Sequence, residues 1–199
     1  MPRQLAERYL AQFQGAAKVL DVGCGTGDFG RHQASPDLEI HGVDADPGAV
    51  EEARRFEQAI CLNLESTALP YDDESFDAVL ARDILEHVQD PGRLVREIHR
   101  VMRPGGVLVA SVVMARPQRV WADYTHVRGF TRMSARLLLE DAGLAVHRID
   151  RMGAVPLSSR LRFIKWVPFI LRLPVIDQLW GTSWELVAQK SDERAGRQP

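Results

Sequence analysis

Lys18-Val19-Leu20-Asp21-Val22-Gly23-Cys24-Gly25-Thr26-Gly27-Asp28 decides how the rest of this chain is read. Its β-branched apolar run reads as a buried strand. The three glycines at alternate positions read as a turn whose backbone must lie close to something else. The residues after it can open a helix, from about Asp28 to Ala34, with its first N–H groups pointing back into the turn. A strand, a glycine turn and a helix form the usual first unit of a nucleotide-type site.

Working outward, composition bounds what that unit can belong to. The chain has 199 residues, 45% hydrophobic and 26% charged, enough to bury one real core. We therefore expect a single domain over residues 1–190 and a disordered polar tail over 191–199. The formal net charge of −2 is not the basic footprint of a nucleic-acid binder. Cys24 and Cys61 show no CxxC or Cys/His zinc spacing, as in a reduced cytosolic protein. The start, Met1-Pro2-Arg3-Gln4-Leu5, lacks the apolar core of a signal peptide, and no run approaches the roughly 18 apolar residues of a spanning helix. A cytoplasmic protein is expected.

Strands and helices alternate along the chain. Leu5, Tyr9, Leu10 and Phe13 recur at helical spacing, which predicts a helix over 3–14 ending at Gly15. Leu38 to Asp44 predicts a second strand, and Asp46-Pro47 an N-cap and first helical residue for a helix to about Phe56. Ala59 to Leu62 and Phe76 to Ala81 predict the third and fourth strands. Asp90-Pro91 opens a helix with an apolar face of Leu94, Val95, Ile98, Val101 and Met102, ended by Arg103-Pro104-Gly105-Gly106. Val107 to Val113 predicts a central strand. A helix at Ser134 to Ala142 and strands at Leu144 to Ile149 and Ser183 to Gln189 complete the pattern. This is an α/β fold with a doubly wound, mostly parallel sheet and its ligand crevice at the carboxyl ends of the strands.

Gly25, Gly27 and Gly30 match GxGxxG literally, but the first glycine after the strand is Gly23, and counting from there puts Asp28 at the third glycine position. A nicotinamide oxidoreductase is further disfavoured because no tyrosine has lysine four residues on. The better pattern is Asp21-x-Gly23-x-Gly25-x-Gly27. Its internal acid would repel a pyrophosphate and favour ammonium or sulfonium charge. Asp44, at the end of the second strand, is placed to accept both hydroxyls of a ribose.

These residues resemble the class I S-adenosylmethionine-dependent methyltransferases. The resemblance rests on Val19 to Gly27, Gly42-Val43-Asp44, Leu69-Pro70-Tyr71 with Ser75-Phe76-Asp77, Leu85-Glu86-His87-Val88, and Leu94 to Gly106, all in order. Within the family the chain is similar to the branch that methylates quinones, sugars and other small molecules. It implies a Rossmann-like sheet of seven strands, the last antiparallel, and S-adenosylmethionine as cofactor. It further implies that Gly23, Cys24, Gly25 and Gly27 line the methionine part with Asp21 beneath, that Asp44 and Ala45 hold the ribose, that Asn63 and Leu64 flank the adenine, and that Arg82 lies near the methionine end. A tight turn alone explains the glycines less well, whereas Asn63 fits a plain loop residue equally well.

An oxygen acceptor must lose a proton, and His87 and His126 are the two candidate bases, with Asp123 near enough to orient an imidazole. Residues 123–131 also resemble an Asp-x-x-His-x-Arg-x-Phe-Thr block of methyltransferases that accompany surface-sugar synthesis; Asp123, His126 and Arg128 could equally just knit the loop down. No metal is expected, because the histidines lack ligand spacing in the sequence. Residues 151–182 carry Arg151, Arg160, Arg162, Lys165 and Arg172 against one acid, Asp177, among aromatic and apolar side chains. They read as a substrate lid, with peripheral membrane contact for a lipid-linked acceptor and a plain apolar cap as the alternatives. The acceptor is thus expected to be a small or lipid-linked molecule. A protein that binds the cofactor without turnover, as a regulator or scaffold, is the second function class. Calorimetry separates the ligand classes: S-adenosylhomocysteine should bind, Asp44→Ala should abolish that binding, and NADH should give no heat.

Overall fold

The computed structural model describes residues 1–33, 37–152 and 182–192. Seven strands form one sheet: β1 (Lys18–Val22), β2 (Glu39–Asp44), β3 (Gln58–Cys61), β4 (Phe76–Arg82), β5 (Met102–Val113), β6 (Leu144–Met152) and β7 (Ser183–Lys190). Their order is β3-β2-β1-β4-β5-β7-β6. β1 to β5 pair in parallel, and β7 runs antiparallel to both β5 and β6. β6 is therefore parallel to the first five. The helices are α1 (Arg3–Gln12), α2 (Pro47–Ala53), α3 (Pro91–Val101), α4 (Pro117–Val120) and α5 (Arg132–Glu140). The expected sheet is present, with its reversed last strand.

Alternation along β1 builds the two layers. Val19 faces a core with Ala6 and Tyr9 of α1, Phe13 just beyond it and Phe29, whereas Leu20 and Val22 face the larger core with Leu94, Val95 and Ile98 of α3 and Leu139 of α5. Both faces of the central strands are covered, as a parallel sheet requires. The caps read from sequence form: Asp46 accepts the N–H groups of Gly48 and Ala49, and Asp90 accepts that of Arg93 at 2.8 Å. Arg100 of α3 donates to the carbonyls of Tyr71 and Leu69 and to Asp73, which ties the Leu69-Pro70-Tyr71 loop to the helix.

Three elements depart from expectation. The helix expected over 28–34 is, in its described part, a run of turns with a single 3₁₀ turn at Gly30–His32. Gly27 at φ 75° precedes it, and Glu57 takes the Gly30 N–H, so side-chain bonding replaces a helical ladder there. β5 starts at Met102 rather than Val107, because Met102 already pairs with Phe76 before the register shifts around Gly105. α4 gives no signal in the sequence, since four residues are too few to show a period. Of the lid or membrane segment at 151–182 and the tail at 191–199, residues 153–181 and 193–199 lie outside the described residues. Among the described residues no helix is long and apolar enough to cross a membrane.

Phe76 is fully buried and meets the rings of Tyr71 and His41 edge-on. Phe76→Ala should therefore cost about 3–5 kcal/mol, measured as a lowered denaturant midpoint at unchanged m-value.

Candidate functional site

The glycine turn leaves the carboxyl end of β1 and is held by the end of β2. The N–H groups of Gly23 and Cys24 both donate to the carbonyl of Val43, at 2.8 and 3.1 Å. Gly25 N–H donates to Oδ2 of Asp44 at 2.8 Å, and Asp46 N–H to its Oδ1 at 3.0 Å. The Asp44 carboxylate keeps further lone pairs beyond these two bonds. Gly23, Gly25 and Gly27 all have positive φ. A Cβ on Gly27 would meet the backbone of Ala53 at 2.8 Å, whereas one on Gly25 would meet nothing within 4 Å. The turn is thus wedged against α2 on one side and open on the other.

Beneath the turn lies a nest of acids. Asp21 is buried, and its carboxyl is pushed well above the usual range by burial and then by Glu57. Glu57 accepts from Gly30 N–H through Oε1, but its buried Oε2 has no hydrogen-bond partner among the described residues. Burial pushes Glu57 up to about 7. This buried carboxylate gives no sequence signal, because its partner is 27 residues away.

The remaining expected cofactor residues divide. Cys24 is buried against Val50, Ala53 and Ala59, facing α2. Its thiol is pushed up by desolvation. Ala45 is exposed beside Asp44, and its carbonyl accepts from Cys61 Sγ. Asn63 Oδ1 accepts Glu65 N–H at 2.9 Å, a turn bond of the plain structural kind. The Leu64 side chain is spent on the larger core. Arg82 pairs with Asp83 at 3.4 Å at the end of β4.

A second group of residues gathers at the carboxyl ends of β4 and β5. Asp83 sits at φ 52° and is fixed by Ser111, whose hydroxyl donates to its carboxylate at 2.7 Å. Ile84 then packs over Gly23, at 3.1 Å from where a Cβ would stand. A tight turn, with His87 N–H donating to the Ile84 carbonyl at 3.0 Å, places Glu86 and His87 just after the residue that covers Gly23. The loop after β5 returns to the same place. Phe130 N–H donates to the Val113 carbonyl, and Val127 N–H to the Glu86 carbonyl, each at 2.9 Å.

The two candidate bases therefore meet, with ring centroids of His87 and His126 4.7 Å apart. Asp123 acts differently from expectation. His126 Nδ1 donates to the Val120 carbonyl at 2.8 Å, so a main-chain carbonyl rather than Asp123 holds this nitrogen. Instead Asp123 accepts the Thr125 hydroxyl at 2.6 Å, and Thr125 Oγ1 in turn lies 3.0 Å from His87 Nδ1. Arg128 does knit the loop down, donating to the Gln89 carbonyl. Glu86 is buried, and burial pushes it up to about 7. Trp121 and Tyr124 stand exposed on the same loop.

A methyltransferase domain model matches residues 20–110. The chain is 33% identical over 168 residues to a ubiquinone biosynthesis O-methyltransferase of Pseudomonas syringae pv. tomato, covering 73% of this chain and 72% of that one. It is 40% identical over 103 residues to an uncharacterized methyltransferase of Mycobacterium sp. (strain JLS), where it spans only 39% of the relative's length. A SAM-dependent methyltransferase structure from Archaeoglobus fulgidus superposes with a TM-score of 0.74 at 19% identity, covering 94% of this chain and 92% of that one.

The acids under the turn make a pH prediction. An unfolded Glu57 ionises from about 4.5 while the folded one stays protonated to about 7, so rising pH through that window costs stability and lower pH restores it. Glu57→Gln keeps an acceptor for Gly30 and should flatten this fall in Tm, with a gain above neutrality measured by thermal unfolding. The matched domain, the Pseudomonas relative and the seven-stranded sheet together establish that this chain belongs to the class I S-adenosylmethionine-dependent methyltransferases.

Proposed function

We propose that this protein transfers a methyl group from S-adenosylmethionine to an oxygen of a small-molecule acceptor. The observation that carries this reading is the junction of two half-sites. Ile84 covers Gly23 of the cofactor-side turn, and the same short loop carries Glu86 and His87 to His126. The residues present suit the cofactor: Asp44 has lone pairs left for a ribose diol, and the open side of Gly25 admits a ligand against the backbone. Asp44 and Ala45 would hold the ribose, Gly23, Gly25 and Gly27 the methionine part, and the main chain of Asn63 and Leu64 the adenine edge. Arg82 and Asp21 would set the charge at the methionine end, where an arriving cation favours ionisation of the buried Asp21. When bound, the cofactor supplies a methyl on a positively charged sulfur.

The chain's own contribution is chiefly alignment of the acceptor oxygen with that methyl. The acceptor hydroxyl is placed against Glu86, His87 and His126 and loses its proton there. The exposed Trp121 and Tyr124 offer the acceptor an apolar wall. The oxygen assignment draws on the Pseudomonas relative, whose name specifies O-methylation. A lipid-linked acceptor and membrane contact rest on the basic, aromatic composition of residues 151–182.

The test is turnover of S-adenosylmethionine with a panel of phenols, quinols and sugars. A single acceptor class should be methylated, and His126→Ala should lower kcat by about 10²- to 10⁴-fold without weakening S-adenosylhomocysteine binding. Tight S-adenosylhomocysteine binding with no turnover on any acceptor would instead place the protein among cofactor-binding regulators.

A further inference from the structure

Glu86 and His87 are adjacent and His126 follows 39 residues later, yet one carboxylate oxygen and one ring nitrogen from each histidine all fall within 4.8 Å of one another. The hydrogen bonds around them leave the same kind of atom free on each. Val120 offers His126 Nδ1 only a carbonyl, so that nitrogen carries the proton and Nε2 keeps its lone pair. Thr125 gives its own proton to Asp123, so Thr125 Oγ1 must accept from His87 Nδ1–H. The His87 Nε2 lone pair is thereby left free as well. Glu86 binds Val113 N–H through Oε1 at 3.1 Å, while its fully buried Oε2 has no hydrogen-bond partner among the described residues. A buried carboxylate oxygen is expensive to leave unmet.

We propose that Glu86, His87 and His126 form a binding site for one divalent cation of the zinc class. Two imidazoles and one carboxylate are the donor set of open catalytic metal sites, with room for a further ligand. Ligand bonds of about 2.0–2.2 Å require the three donors to draw together by roughly one ångström, which the half-buried histidines can supply. Val120 and the Asp123–Thr125 pair supply the outer contacts that fix both rings. The proposal rests on the methyl-transfer reading in one respect: the open position faces the acceptor side, where the ion would take the acceptor hydroxyl and lower its pKa. The hydroxyl proton then leaves to solvent, the oxygen lone pair forms the new O–CH₃ bond, and the broken C–S pair returns to sulfur.

The test is titration of chelator-treated full-length protein with Zn²⁺ by calorimetry and with Co²⁺ by visible absorption. One equivalent should bind, and the Co²⁺ spectrum should show nitrogen ligation. Thr125→Val should weaken binding by about 10- to 100-fold through His87 alone. His87→Ala with His126→Ala should abolish it while thermal unfolding stays near that of the parent. Absence of saturable binding, or full binding by the double-histidine variant, overturns the site. Metal binding without methyl transfer would sink the activity and leave the site standing. Transfer at full rate in excess chelator would do the reverse.

Discussion

The grip of the β2 end on the glycine turn is the constraint on which the rest of this site depends. Val43 offers one carbonyl to two successive N–H groups, and Asp44 offers its carboxylate to that of the next residue, Gly25. Those bonds need a backbone at positive φ, which glycine supplies at little steric cost. They place the turn so close to α2 that Gly27 has no room for a side chain. They also raise the turn over Asp21 and Glu57, whose burial disfavours their ionised forms. A protein with that arrangement gains by receiving a cation there, which a sulfonium ligand with an ammonium group provides.

The sheet was legible because its signals are local. Apolar strands, Asp-Pro caps and the alternation of strand and helix read out the order of elements, and the caps at Asp46 and Asp90 form as their side chains dictate. The meeting of the glycine turn with Asp44 was legible for a related reason: Asp21, the three glycines and Asp44 sit at strand ends, so spacing along the chain approximates spacing in the fold. Failures came where a distant partner decided the local structure. The Asp28 segment gives up its helix because Glu57, from beyond α2, takes the Gly30 N–H.

The acceptor side was legible only in part. His87 and His126 can each be chosen from sequence as candidate bases, but as alternatives, since nothing in a one-dimensional spacing brings positions 39 residues apart into contact. The return of the loop after β5, pinned by Phe130 on Val113 and Val127 on Glu86, makes them neighbours. The same fold turns Asp123 from a partner of His126 into one of Thr125 and, through it, of His87. Glu86 stands inside a recognisable block, yet its isolation becomes visible only when burial and hydrogen bonding are known.

Both halves of the site meet at Ile84, so the relation between them is the central claim. A crystal structure with S-adenosylhomocysteine tests it most directly. The expected result has both ribose hydroxyls on Asp44 and the sulfur directed at the space between His87 and His126. A sulfur facing away from that pair, or a ribose held elsewhere than on Asp44, would contradict it.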